Sequence, residues 1–182
     1  MWSANKENTG GSMKAIVAVD KNWAIGYKGK LLERIPEDMR FLKQITIGKT
    51  VVMGRATFES LPGKEPLKGR TNIVLSTNKD YYHPGIIICR SLEELFKVTS
   101  QYASEDIFVL GGAQIYVELL SYCSEVYVTK FENSYPADSF FPNLDIDDNI
   151  WTLEIMSESM EHNGLQYSRV RYSKGKIVQS TL

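Results

Sequence analysis

The stretch TVVMGRATFES, residues 50–60, carries the pattern that decides the fold: an apolar run, a glycine, and then a helical pattern. The stretch IFVLGGAQIY, residues 107–116, repeats this arrangement with two glycines. Short runs rich in Val and Ile predict buried strands, and a strand that leads directly into a helix is typical of parallel sheets. These two stretches therefore predict an α/β fold.

The same alternation of strand and helix extends through most of the chain. Strands are predicted at residues 15–19, 50–53, 72–75, 85–89, 106–110 and 126–131. Helices are predicted at residues 36–46, 55–60, 91–102 and 113–120. The tail differs, because residues 151–157 and 166–172 flank a polar turn around residues 162–164 and predict an antiparallel hairpin. We expect a mostly parallel twisted sheet with helices on both faces and this hairpin at one edge.

The composition fits one domain that binds small molecules. The chain has 182 residues, of which 43% are hydrophobic, and this is enough apolar material for one sizeable core. A formal net charge of -1 leaves no excess of cations for a broad phosphate-binding face, so we expect neither nucleic acid nor a membrane surface as a partner. Residues 1–12 are polar and are expected to be a disordered extension or a cloning remnant, with one domain at residues 13–182.

The cysteines indicate the cellular compartment, and the histidines indicate whether a metal could bind. Cys89 and Cys123 lie in apolar stretches, and two cysteines do not make a disulfide framework. No run is long enough to cross a bilayer. We therefore expect a cytoplasmic monomer. His83 and His162 lie in polar turns without the spacing of metal ligands, so no metal site is expected.

Asp38 is the strongest candidate for chemistry. On a helix that begins at Pro36, a step of about 100° per residue places Asp38 in the middle of the apolar face. A carboxylate in that position must be hydrogen-bonded or protonated through burial, and such a group is a functional candidate. The alternative is an acid that serves the first-turn amides and the helix dipole. The apolar residues around it are Met39, Phe41, Leu42 and Ile45.

Both strand-to-helix turns are candidates for binding phosphate. Free amides at a helix start, assisted by the Arg55 guanidinium and the Thr57 hydroxyl, suit an anion. In the second turn, Gly111 and Gly112 let the backbone approach a ligand. Neither turn matches the dinucleotide fingerprint, and turn geometry alone also explains each one. Together they indicate an extended anion.

Other polar side chains lie at or near the ends of neighbouring strands. Arg70 immediately precedes a predicted strand and could pair with a carboxylate, although a solvated surface arginine is the ordinary interpretation. Ser76, Thr77 and Arg90 could meet another phosphate.

The motifs occur in a characteristic order. They are AVDKNWAIG (18–26), GKLLERIPEDMRFLK (29–43), VVMGRATFESL (51–61), PLKGRTNIVLS (66–76), IFVLGGAQIY (107–116), VYVTKF (126–131) and ADSFFP (137–142). In this order and spacing the chain resembles the dihydrofolate reductase family from Ala15 to the region of Tyr172. The resemblance implies NADPH-dependent reduction of 7,8-dihydrofolate to 5,6,7,8-tetrahydrofolate, with hydride passing from nicotinamide C4 to pterin C6. It also implies that antifolate-type inhibitors bind.

The resemblance assigns roles to residues. Asp38 would hold the pterin and support protonation at N5, Thr129 would hydrogen-bond that carboxylate or the pterin, and Leu31 would lie in the loop over the nicotinamide. Arg70 would take the glutamate α-carboxylate. The other residues implied for the folate pocket are Val17, Ala18, Met39, Leu42, Leu61, Leu67, Leu110 and Tyr116.

The implied NADPH site draws on both glycine turns, whose Gly111-Gly112 peptide is cis in the family. The implied residues are Ala18, Ile25, Gly54, Arg55, Ala56, Thr57, Leu75, Ser76, Thr77, Arg90, Gly111, Gly112, Ala113, Gln114, Ile115 and Tyr116. The chain departs from the family twice. Leu31-Leu32-Glu33 stands where members usually read Leu-Pro-Trp, and Gln114 stands where many place a basic residue.

Two other functions are weighed against folate reduction. One is a reductase of the same fold that acts on a riboflavin-pathway pyrimidine; Asp38 in its Pro-Glu-Asp context and Arg70 favour folate. The other is a nucleotide-binding module without catalysis, for which Glu33 is the only support. The combination of Asp38, Thr129 and both glycine turns argues against that second alternative.

Overall fold

The strands and helices follow the alternation expected from the sequence. The computed structural model describes residues 12–146 and 150–175, so the predictions for residues 1–11 lie outside the described part of the chain. The strands are β1 (Met13–Val19), β2 (Ala24–Tyr27), β3 (Lys30–Leu31), β4 (Thr50–Gly54), β5 (Thr71–Leu75), β6 (Ile87–Cys89), β7 (Ile107–Val109), β8 (Cys123–Phe131), β9 (Ser139–Phe140), β10 (Trp151–Ile155), β11 (Met160–His162) and β12 (Leu165–Lys174). The helices are α1 (Pro36–Thr46), α2 (Arg55–Glu59), α3 (Leu92–Thr99) and α4 (Ala113–Leu119).

Most strands join one large sheet with the order β10-β12-β8-β1-β7-β4-β5-β6, and β11 also pairs with β12. The pairs from β8 to β6 along this order are parallel, whereas β12 is antiparallel to β8, β10 and β11. Residues Asn163 and Gly164 form the tight turn between β11 and β12, and both have positive φ, as such hairpin turns require. The predicted fold class is confirmed. The C-terminal antiparallel part differs in detail from the predicted hairpin, because β10 pairs directly with β12 while the turn around residues 162–164 joins β12 to the additional short strand β11.

Helices cover both faces of this sheet. Alternate residues of a strand point to opposite faces, so Val51 and Met53 lie on one face and Val52 on the other. The first face packs against Phe58 of α2 and Ile45 of α1. The second packs against residues of α3 and α4 in the larger core cluster. Among the described residues, no helix has the length and apolar character needed to span a membrane.

A second, three-stranded sheet has the order β3-β2-β9 and was not predicted. Its strands have only two to four residues, which is too short for an alternating pattern to be recognised. Asp20 fixes the approach to β2, because its buried carboxylate accepts hydrogen bonds from the amides of Asn22 (2.8 Å) and Ala24 (2.9 Å). Strands β2 and β3 of this small sheet contain Ile25 and Leu31, two of the residues predicted to cover the nicotinamide.

Candidate active site

A cavity of about 700 Å³ opens at the carboxyl ends of the parallel strands, where open α/β sheets usually bind ligands. The predicted substrate or covering-loop residues Val17, Leu31 and Leu110 contribute to its wall. Of the predicted cofactor residues, the wall contains Ala18, Ile25, Gly54, Arg55, Ala56, Thr57, Leu75, Ser76, Thr77, Arg90, Gly112, Ala113, Gln114, Ile115 and Tyr116. The structure therefore brings nearly all of the predicted cofactor residues around one space.

The two glycine turns are in direct contact. The Gly54 amide donates a hydrogen bond to the Gly111 carbonyl at 2.8 Å. A methyl group at Gly112 would lie 3.4 Å from Thr57 Oγ1, so the turns share one surface. The Gly111-Gly112 peptide is cis, as the resemblance implied. Two patterns that were ambiguous when taken singly thus form one continuous backbone surface at the helix starts.

Tyr116 is part of the cavity wall and connects the second glycine turn to β1. Its hydroxyl donates to the Ile16 carbonyl at 2.6 Å, and its ring packs edge-on against Phe141 with centroids 4.7 Å apart. Burial raises the pKa of Tyr116 well above its usual range. The phenol is therefore neutral and serves as a rigid part of the wall.

The polar side chains predicted to lie near the phosphates differ in how far they are engaged within the protein. The Arg55 guanidinium lies 3.6 Å from Glu59 and remains about half exposed. Gln114 donates to Glu118 at 2.9 Å. The Arg90 guanidinium instead donates to backbone carbonyls of Ser76, Asn78, Lys79 and Tyr81. Arg90 therefore shapes the loop after β5 as well as facing the cavity.

Asp38 lies on the first turn of α1 and is largely buried, with 14% of its side chain exposed. Its Oδ1 accepts a hydrogen bond of 2.5 Å from the hydroxyl of Thr129 on β8. Burial raises the pKa of Asp38, while the Thr129 hydrogen bond and the charge of Arg169 act to lower it. The apolar neighbours predicted for Asp38 on α1 are only half-buried.

The position of Thr129 places Asp38 next to the cavity. In the parallel pair of β1 and β8, Thr129 is the register partner of Ala18. Ala18 belongs to the cavity wall, whereas Asp38, Thr129 and Gly111 do not. The acid therefore lies beside the wall formed by β1.

The remaining predicted substrate residues lie outside the cavity wall. Leu61 and Leu67 pack against the core cluster of the α1–α2 face, and Met39 and Leu42 lie on α1 beside Asp38. The Arg70 guanidinium donates to Thr46 Oγ1 at 3.2 Å, and burial lowers its pKa. Met39 and Leu42 thus lie on α1, and Leu61, Leu67 and Arg70 lie in the segment between α2 and β5, outside the residues that line the cavity.

Three residues that contact the predicted site residues or the loop over the cavity were not identified from the sequence. The buried Asn72 holds the loop that carries Leu67 and Arg70, because its amide bonds to the backbone of both. Tyr135 donates to Glu33 at 2.8 Å and so fixes the residue that replaces the usual Trp. Arg169 lies beside Asp38. Only Asn72 had a sequence signal, since asparagine side chains often hydrogen-bond to the backbone of a nearby turn.

Comparison with known proteins gives a consistent result. A family model described as dihydrofolate reductase matches residues 12–174. The chain is 34% identical to the dihydrofolate reductase of Bacillus subtilis (strain 168), over 87% of this chain and 92% of that protein. It is 37% identical to the dihydrofolate reductase of Neisseria gonorrhoeae, over 86% of this chain and 94% of that one.

A solved structure agrees with the sequence comparisons. The dihydrofolate reductase from Enterococcus faecalis, complexed with NADP(H) and RAB-propyl, superposes with a TM-score of 0.77 at 34% identity. The match covers 92% of this chain and 98% of that one. The family predicted from the ordered motifs is confirmed, and the chain belongs to the dihydrofolate reductase family.

Proposed function

We propose that Asp38, with Thr129, is the acid of an NADPH-dependent reduction of 7,8-dihydrofolate to 5,6,7,8-tetrahydrofolate. The observation that carries this assignment is the buried Asp38 carboxyl, bonded to Thr129 beside a cavity whose other walls are the two glycine turns. The chain is an oxidoreductase that uses NADPH. When bound, NADPH supplies the hydride. The protein aligns the two rings, excludes water and holds a proton at Asp38.

The proton has a clear origin in this arrangement. Reduction of the C6–N5 double bond adds one hydride to carbon and one proton to nitrogen. Asp38 is bonded to Thr129, the register partner of Ala18 in the cavity wall, and burial lets Asp38 keep a proton at a higher pH than an exposed aspartate would. We propose that Asp38 supports protonation at N5, either directly or through water.

The reaction is tested by mixing the purified protein with NADPH and dihydrofolate and following the loss of NADPH absorbance, with NADH alongside. We expect oxidation that depends on dihydrofolate and is faster with NADPH. A folded protein that binds NADPH but oxidises it only with an aminopyrimidine of the riboflavin pathway would instead support the rival reductase.

Arg55 is proposed to distinguish NADPH from NADH through the additional phosphate. We expect Arg55→Ala to raise the Kd of NADPH by roughly 10- to 100-fold, because a charge-assisted hydrogen bond is worth about 1.5–3 kcal/mol. The Kd of NADH should change little. Isothermal titration with both cofactors measures this. Glu59→Ala, which removes the carboxylate that faces Arg55, is the matched control and should not weaken NADPH; an equal loss for both cofactors in Arg55→Ala would refute the assignment.

Arg70 is proposed to bind the α-carboxylate of the glutamate tail. Arg70→Ala should weaken dihydrofolate by roughly 10- to 100-fold and should barely affect a dihydropterin without the tail. The ratio of the two KM values measures the effect. Lys68→Ala removes an exposed cation from the same loop and serves as control. Equal losses for the two substrates would remove the proposed contact.

We propose that the protein works as a cytoplasmic monomer and that residues 13–182 form one domain. Cys89 and Cys123 are buried free thiols, which suits a reducing compartment. Light scattering after size-exclusion chromatography tests the monomer, and a dimer mass would contradict it.

A further inference from the structure

Arg169 lies against the Asp38 carboxylate, at a position that no motif of the sequence marked. Its Nε is 3.6 Å from Asp38 Oδ1. Both side chains are largely buried, with 15% of Arg169 and 14% of Asp38 exposed. The charge of Arg169 is therefore close to Asp38 and only weakly screened by solvent.

The backbone fixes Arg169 toward this carboxylate. Arg169 on β12 is the cross-strand partner of Thr129 on β8, and cross-strand partners point to the same face of a sheet. On the other side of β12, the amides of Met156 and Ser157 both donate to the Arg169 carbonyl, at 2.9 and 3.2 Å. These two bonds hold the backbone of Arg169 at the point where β10 ends.

Among the described residues, Asp38 is the main group that compensates the positive charge of Arg169. The guanidinium lies over the ring of Phe41, 4.6 Å from its centroid. Within residues 12–146 and 150–175, neither Nε nor Nη2 has a hydrogen-bond partner, although both atoms are buried. A buried cation in this state is costly, and an apolar residue of similar size would often be at least as stable. A contribution to the stability of the fold therefore does not explain why an arginine stands at position 169.

The two oxygens of Asp38 are used differently. Oδ1 accepts the Thr129 hydroxyl and faces Arg169. In the described part of the chain, Oδ2 makes no hydrogen bond. The protein thus holds one oxygen and leaves the other for a ligand.

We infer that Arg169 is a positioning residue for the reduction: its guanidinium orients Asp38 through Oδ1, favours the ionised carboxylate between turnovers, and leaves Oδ2 to face the substrate. This inference rests on the proposed function, because Asp38 must be the carboxylate that meets the substrate. Arg169 acts through Asp38 and sets the pH range in which that acid is protonated.

The consequence for pH follows from the charge. The chemical step takes up one proton, so its rate falls as the pH rises through the pKa of the acid in the complex. Arg169 opposes the upward effect of burial on the pKa of Asp38, and its removal should move the midpoint of that fall to higher pH. The other charged or titratable groups around Asp38 are Glu37 and Arg40 on α1, Tyr116 on α4 and Tyr167 on β12, with His162 of β11 at 3.9 Å from Glu37.

The test is the pH profile of single-turnover reduction in three proteins: wild type, Arg169→Met and Arg169→Lys. We expect the midpoint to rise by roughly one pH unit in Arg169→Met, the lower end of the effect of an opposite charge at this distance. Arg169→Lys should restore most of the wild-type midpoint, because it keeps the cation. Arg169→Gln replaces the Met variant if that variant fails to fold.

Two controls separate this role from a general change in charge or stability. Arg171→Met removes the same charge two residues along β12, where Arg171 pairs with Glu125 and Glu154, and should leave the midpoint in place. His162→Gln should do the same. An unchanged midpoint in Arg169→Met, or equal shifts in Arg169→Met and Arg171→Met, would overturn the inference. Full activity of Asp38→Asn would instead overturn the proposed function itself, so the two failures are distinguishable.

Discussion

Asp38→Asn should lower the rate of dihydrofolate reduction by about 10²-fold or more at neutral pH, the usual contribution of a positioned acid or base. Asn has nearly the same shape but cannot carry the proton or the negative charge. The pKa of Asp38 is raised by burial, so the wild-type carboxyl gains its proton at a higher pH than usual and loses it as the pH rises further. The variant lacks this source of protons, and its rate should recover only as the pH falls. Single-turnover rates across the pH range measure the effect.

The matched control for Asp38→Asn is Glu37→Gln. Glu37 is the preceding residue on α1, is about half exposed, and pairs with Arg40 at the surface. Since exposed ion pairs contribute little, its replacement should leave both the rate and the pH profile nearly unchanged. NADPH affinity and cooperative unfolding should persist in both variants. If Asp38→Asn kept the wild-type rate at every pH, the carboxyl would have no part in proton supply.

Gly111→Ala should be the most damaging change to the cofactor site. Gly111 has a φ of 107°, which L-residues with a side chain rarely adopt, and an added methyl group would lie 2.8 Å from Tyr116 Cε2. The Tyr116 ring cannot easily move, because its hydroxyl is bonded to Ile16 and Phe141 packs against it. The backbone conformation alone should lower the free energy of unfolding by about 1–3 kcal/mol. Denaturant unfolding measures this loss, and titration should show weaker NADPH binding.

Gly112→Ala is the comparison for Gly111→Ala. Gly112 has a φ of -73°, and a methyl group there would make an ordinary contact of 3.4 Å with Thr57 Oγ1. Its effect on the free energy of unfolding should therefore stay below about 1 kcal/mol. Equal destabilisation by the two substitutions would show that the position of the methyl group against Tyr116 is not what matters.

Local sequence predicted the elements whose signals lie within one turn or one strand. The apolar spacing around Asp38 and the proline before it predicted α1 with the bounds that the structure has. The two glycine turns were recognised for the same reason, since a strand, a glycine and a helix start are adjacent in the chain. The ends of α3 were less well predicted: Ser91 caps the helix by accepting from the Glu94 amide, and the helix closes at Thr99.

The sequence could not predict how the polar side chains would be used. Arg90 was predicted only to meet phosphate, but four carbonyls of the loop after β5 also engage its guanidinium. Those bonds depend on the path of the loop, which no periodicity describes. Glu33 and Tyr135 are 102 residues apart in the sequence, and their contact depends on how the loop over the cavity meets the segment before β9.

The sequence by itself determined the family, the α/β class, the buried position of the proposed acid and the two turns, because each depends on residues close together in the chain or on their order along it. Only the tertiary structure decided that Arg169 faces Asp38. That contact depends on the register of β12 against β8, and a slip of one residue would turn Arg169 to the opposite face. Strand register is set by the packing of the whole sheet, so the electrostatic environment of Asp38 is a tertiary property even though the sequence already marks Asp38 as the candidate acid.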